Sequence, residues 1–196
     1  ETAVTIAVLN CKEETAMNTM TTYTGHKFDP MNMTEDDIRM EDIAHALSLL
    51  CRGGGHLRSF YTVGQHSVNC AKEARARAYS KRVQFACLLH DASEAYISDI
   101  IRPVKCYLSN YLEIESKIMQ VIWKKFGLGD LSDEENNQWK QIDDAMLDYE
   151  LKYLMEGEED RSAGTLFSEP DVAEQPYRKV QEEFLQMAEF YQKQGM

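Results

Sequence analysis

At 196 residues, with 43% hydrophobic and 28% charged side chains, the chain has the size and composition of a single globular domain with a real core. Its 21 basic and 33 acidic residues leave a net charge of −12, which argues against binding to nucleic acid polymers or to an anionic membrane. No apolar run approaches the ~18 residues of a membrane-crossing helix, and five cysteines without a CxxC pair read as reduced thiols of a cytoplasmic protein.

Residues 1–20 form an N-terminal extension of uncertain order: ETAVTIAVLN could pair as a strand, and Met17 or Met20 could be the natural start. Residues 21–196 read as one domain. Thr34 followed by Asp37 is a capping signal, so a helix is expected to begin there, with Ile43, Leu47, Leu50 and Cys51 on its apolar stripe. That stripe ends at Gly53, Gly54 and Gly55 and leaves Arg52 at a helix end. Thr62 with Gln65 makes a capping box for a second helix that carries His66 in its first turn and turns Cys70, Ala71, Ala74 and Ala78 inward.

A third helix is expected over about 81–96, carrying His90 and Asp91 near its end, and Pro103 should make IRPVK an extended or turning segment. A fourth should cover about 110–126. A fifth, capped by Ser132 and Glu135, should reach about Met155 with Trp139, Ile142, Met146, Tyr149 and Tyr153 along one buried stripe. The acidic segment GEEDRSAGTLFSEPDVAEQ reads as a solvated loop, and Pro176 opens a last helix with Val180, Phe184, Met187 and Tyr191 inward. The fold class is therefore all-α, a bundle of about six main helices.

The stretch CLLHDASEAYISDIIRPVK breaks the usual burial rule, because an apolar run delivers His90 and Asp91, then Glu94 and Asp99. Such groups are well hydrated, and burying them needs compensation. A divalent metal is the simplest source, with further ligands offered by His66 on the second helix and by Asp143 or Asp144 on the fifth. Two imidazoles and two carboxylates suit Mn, Co, Zn, Mg or Fe. On a continuous third helix, Glu94 would share a face with His90 and Asp91. Among the other histidines, His45 reads as packed and His56 as a loop residue near the mouth.

Taken together, QHSV at 65–68, LLHDASEAYISDIIRPVK at 88–105 and KQIDDAML at 140–147 resemble the HD-domain metal-dependent phosphohydrolases, and within them the bacterial 5'-deoxynucleotidases and the small phage-like HD hydrolases that include deoxynucleoside triphosphate triphosphohydrolases. The resemblance runs from about Tyr23 to Met155. It implies His66, His90, Asp91 and Asp143 as the ligands of one divalent metal, with Asp144 one residue away as the rival of Asp143. It further implies that Glu94 works with the water activated there and that Asp99 is the second catalytic carboxylate. Arg52 would hold phosphate, helped by Lys105 or Arg102. Where the deoxynucleotidases place an aromatic residue after the arginine to contact the sugar, this chain has Gly53, which leaves sugar preference open.

The expected activity is a 5'-(deoxy)nucleotidase acting on small-molecule nucleotides, in a chain that the resemblance implies is a homodimer or higher homo-oligomer. The alternatives are a triphosphohydrolase and a catalytically silent nucleotide-binding regulatory module. A di-iron oxygenase would need histidines beyond His90, the last in the chain.

Overall fold

The computed structural model describes residues 18–194; the strand expected within 1–10 lies outside them. The chain is all-α, as composition and periodicity indicate. Its one sheet among the described residues is a hairpin of β1 (Met20–Thr21) with β2 (Lys27–Phe28), antiparallel with Met20 opposite Phe28. Asp42 anchors that hairpin to the first long helix, accepting from the Thr24 amide at 2.7 Å and the Thr22 hydroxyl at 2.7 Å. Met20, assigned to the extension, is thus part of the folded unit.

Six long helices carry the core: α1 (Met40–Leu49), α2 (Val63–Ala76), α3 (Lys81–Leu89), α6 (Ser109–Lys125), α7 (Asp133–Leu154) and α8 (Tyr177–Gln192). Two single-turn helices, α4 (Glu94–Ile97) and α5 (Arg102–Lys105), lie between α3 and α6. The central element is α2, whose residues from Val63 to Ala71 are all buried and which packs against α1, α3, α7 and α8. A side chain at Gly64 would come within 3.2 Å of the Leu47 backbone and 3.1 Å of Val180, so the crossing of α2 with α1 and α8 depends on that glycine. No helix among the described residues is long and apolar enough to cross a membrane.

Four expectations need correction. Thr34 and Asp37 do form a capping box, but it closes a single 3-10 turn over Glu35–Asp37, and α1 starts only at Met40. Ile38 and Arg39 between them are extended, with Ile38 buried, so core insertion of Ile38 interrupts what the cap began. The third helix stops at Leu89 rather than near 96: the amides of Ala92 and Glu94 bond three residues back, to Leu89 and Asp91, which tightens the chain into a turn before α4. IRPVK is a helical turn, with Pro103 in its first turn where no amide is required. Ala78, expected inside, lies exposed beyond α2 with φ 56.

The buried stripe of α7 is also different from the aromatic one expected. It runs Ile142, Met146, Glu150, Leu154, while Tyr153 is 50% exposed and stacks its ring against Tyr149. A carboxylate takes the place on the core face that apolar patterning would assign to a hydrophobic side chain.

Candidate metal centre

His66 lies in the first full turn of α2, where the Thr62–Gln65 capping box sets the helix start, and it is fully buried. Its Nδ1 donates to Glu150 Oε1 on α7 at 2.7 Å. His90 closes α3, and its Nδ1 donates to the Cys87 carbonyl at 2.8 Å. A carbonyl can only accept, and Glu150 is an ionised carboxylate, so the proton of each neutral ring sits on Nδ1. Both Nε2 atoms therefore present lone pairs, and they face each other at 3.1 Å.

Two carboxylate oxygens complete the cluster. Asp143 Oδ1 lies 3.1 Å from His66 Nε2 and 3.5 Å from His90 Nε2, and Asp91 Oδ2 lies 3.8 and 3.3 Å from the same two atoms. With both rings neutral these four atoms are all acceptors, a set a divalent cation can join; without a metal, burial would lower the His66 and His90 pKa values, but the neighbouring carboxylates raise both, so protons take that place between rings and carboxylates. Donors about 2.0–2.2 Å from a common ion stand roughly 3–3.6 Å apart, a range that holds four of these five separations, Asp91 to His66 at 3.8 Å being longer. The donor set fits a divalent metal, and the Glu150 carboxylate behind His66 is the usual outer partner of a metal-binding imidazole. Asp144, the rival of Asp143, is exposed and pairs with Arg102 at 3.1 Å, away from the imidazoles.

Cys70, one turn on from His66, adds a sulfur. His66, Cys70 and His90, all buried, form a group with ligand atoms within 4.8 Å of one another that could hold a metal ion. Sγ is 3.5 Å from His66 Nε2. Burial, reinforced by the nearby Asp143, pushes this thiol well above its ordinary range and keeps it protonated. Burial alone would also raise the Asp91 and Asp143 carboxyls, but the facing imidazoles hold both far below the usual carboxylate range.

Arg52 follows α1 on a short 3-10 turn, and its backbone amide bonds to the Tyr61 carbonyl at 2.9 Å. Its guanidinium is buried between two carboxylates, Nη1 3.2 Å from Asp91 and Nε 3.1 Å from Glu150. The residue expected to hold phosphate is thus at the centre, cross-linking the candidate ligand Asp91 to the carboxylate behind His66. Gly53 and Gly54 both have left-handed φ, 63° and 61°, so the backbone itself disfavours an aromatic residue after Arg52.

Glu94 opens α4, beyond the turn that ends α3, so the shared helix face expected of it does not exist. It reaches the site another way: it is buried, its Oε2 has no hydrogen-bond partner, and its Oε1 lies 3.9 Å from Lys105. Burial, then the charges of Asp91 and Asp99, push its carboxyl well above the ordinary range. Burial also raises half-buried Asp99, with Asp91 adding to the effect. Lys105 bonds Glu115 at 2.5 Å, and exposed Arg102 reaches Asp143 Oδ2 at 3.6 Å. Ser98, just before Asp99, has φ 69 and ψ 160, and its carbonyl accepts from Tyr111 at 2.7 Å. An open cleft of about 620 Å³ between α1 and α4 has Glu94 in its wall beside His45, Leu49, Tyr96 and Ile97.

All eight expected site residues lie in or beside this centre. His45 packs as expected, its ring 3.7 Å from that of Tyr23, and His56 is exposed. The structure adds Glu150 and Tyr61 to the expected residues and brings Cys70, a core position by its spacing, to the imidazoles. The spacing of four from Ile142 through Met146 to Glu150 was the available signal for Glu150.

No family model matches the chain. Over 112 residues it is 41% identical to the uncharacterized protein YfdR of Escherichia coli, covering 57% of this chain and 60% of that protein. Over 110 residues it is 36% identical to an uncharacterized protein of Rhodobacter capsulatus, covering 53% of this chain and 56% of that protein. The chain thus spans less than two thirds of the length of these curated relatives, and neither name carries an activity.

Proposed function

We propose that the chain is a metal-dependent phosphohydrolase of the HD type that removes phosphate from small nucleotides. The observation that carries this reading is the meeting of two imidazole nitrogens with two carboxylate oxygens, beside the buried Glu94 carboxyl, whose Oε2 has no partner, and half-buried Asp99. A divalent ion held by His66, His90, Asp91 and Asp143 would supply Lewis acidity and make water at the site more acidic. Glu94, buried with its Oε2 unpartnered, would in its ionised form orient a water there or take up its proton. Asp99 protonates the departing alcohol, which its raised pKa suits it to do.

Arg52 keeps Asp91 in place and offsets the negative charge of the centre, while Lys105 and Arg102 supply positive charge at its edge. The cleft between α1 and α4 is within the size range of small-molecule sites and gives a nucleoside a place to lie. A homodimer in the cytoplasm completes the reading. The dimer rests on the resemblance, tested by light scattering on the purified chain, and the compartment on the free thiols of Cys51, Cys70, Cys87 and Cys106.

A nucleotide panel assayed with Mn, Co, Mg and Zn, beside Asp91→Ala and Glu94→Ala, tests the activity. Release of phosphate lost in both variants supports the nucleotidase, and release of tripolyphosphate assigns a triphosphohydrolase instead. One observation favours a second reading, a silent regulatory module: the Arg52 guanidinium is engaged by Asp91 and Glu150. Nucleotide binding without turnover under every metal would establish it.

A further inference from the structure

His66 can face the centre only while its Nδ1 side is held, and the residues that hold it extend well beyond Glu150. Tyr61 is fully buried and donates its hydroxyl proton to Glu150 Oε1 at 2.7 Å, the same oxygen that receives His66 Nδ1. Asn69, also buried, donates through Nδ2 to the Tyr61 hydroxyl oxygen at 3.0 Å and to the Asp171 carbonyl at 3.0 Å. The Asp171 amide returns a bond to Asn69 Oδ1 at 3.3 Å. This exchange with a peptide backbone fixes which end of the Asn69 amide is nitrogen.

The direction of every bond then follows. An amide nitrogen can only donate, so the Tyr61 hydroxyl accepts from Asn69 and must send its own proton to Glu150. Glu150 Oε1 receives two donors and Oε2 receives Arg52 Nε. A carboxylate so filled has no proton to give, which leaves His66 Nδ1 as donor and His66 Nε2 bare. Hydroxyl, amide and loop backbone thus act on the one ring nitrogen that faces the metal.

We propose that Tyr61 and Asn69, tied to the loop at Asp171, are positioning residues that set the ring orientation and tautomer of His66 for metal binding. The proposal rests on the metal centre described above. None of the three is among the four candidate ligands. Their effect is on how tightly the ion is held, and in comparable sites loss of an outer partner weakens metal affinity by roughly 10–100-fold.

Calorimetric titration of the full chain with Mn2+ and with Co2+ alone tests it, using Tyr61→Phe and Asn69→Asp. Tyr61→Phe removes only the hydroxyl. Asn69→Asp replaces the donor with an acceptor of the same size and turns the Tyr61 proton away from Glu150, so one variant serves if the other does not fold. The expected result is metal affinity weaker by about 10-fold in each, with nitrogen-15 shifts of His66 in the metal-free protein departing from the Nδ1-protonated pattern of the wild type. Lower thermal stability with unchanged affinity and unchanged shifts would show a structural role only and overturn the proposal. A wild type that binds neither ion would overturn the metal centre itself.

Discussion

Replacing Glu150 by Gln keeps the shape of the side chain and removes its charge. The amide oxygen can still accept from Tyr61 and His66, but its nitrogen then faces Arg52 Nε, donor against donor, where the carboxylate accepted at 3.1 Å. Breaking one partner of a buried ion pair costs about 3–5 kcal/mol. Arg52 keeps Asp91 at 3.2 Å, which places the expected loss near the lower end, about 3 kcal/mol. For a domain of this length each kcal/mol moves the melting temperature by about 2–4 °C, so Glu150→Gln should melt about 6–12 °C lower. Circular dichroism melts and urea midpoints, taken with chelator and with Mn2+, measure it. Glu150→Leu combined with Arg52→Met should recover part of the loss of Glu150→Leu, because removing both charges strands neither. A loss under about 1 kcal/mol, the level of an ordinary surface change, would refute the assignment of Glu150 and Arg52 as a buried pair supporting the centre.

Ser98→Gly should raise the melting temperature slightly, since a non-glycine residue at φ 69, ψ 160 carries strain of order 1–3 kcal/mol, yet slow turnover by loosening Asp99; faster turnover would remove the strain from the mechanism. Asp143→Ala should lose bound metal while Asp144→Ala keeps it, as measured by metal content after dialysis, and the reverse would move the ligand by one residue. Cys70→Ser should leave the visible spectrum of the Co2+ protein unchanged if oxygen ligands hold the ion. Disappearance of a thiolate-to-metal band in the variant would place the sulfur among the ligands. Burial would raise the Glu73 carboxyl, but bonds from Ser168, the Phe167 amide and Arg77 hold it below its ordinary 4.5. Its contribution to stability is therefore complete above that value and lost as pH falls through the lower folded one; protease cutting in the 157–175 loop should rise in acid, and Glu73→Gln should abolish that pH dependence.

The pair His90 and Asp91 was readable because two polar residues directly behind Phe85, Cys87, Leu88 and Leu89 have no ordinary reason to be buried. Choosing Asp143 over Asp144 was not possible from periodicity, since neighbouring positions on α7 diverge by about 100° and either could have faced inward. Their contacts differ: Asp143 meets two imidazoles, whereas Asp144 meets solvent and Arg102. Glu150 was hidden because patterning sends carboxylates outward, and only the joint presence of Arg52, Tyr61 and His66, from one stretch 84 or more residues away in the chain, makes its burial tolerable. The end of α3 at Leu89 was hidden for the opposite reason, since Ala92, Glu94 and Ala95 are good helix formers with no glycine or proline among them. There the tertiary placement of His90 overrides local preference.

The acidic loop after α7 shows how far composition can mislead. Its middle is fastened to α2 by main-chain groups that no side-chain pattern reveals: the amides of Phe167 and Ser168 bond fully buried Glu73, Asp171 pairs with Asn69, and the Ala173 carbonyl accepts from Gln65. Upstream, Gly157 and Gly164 have open space around them, and the segment is held by side-chain pairs near the surface, Arg161 with Glu158 and Asp148 and Arg58 with Glu156 and Glu159. Chain length is therefore constrained unevenly. Residues inserted between 157 and 164 should bulge into solvent at little cost, whereas one extra residue between Phe167 and Ala173 would put these anchors out of step with α2, whose helical rise fixes their spacing.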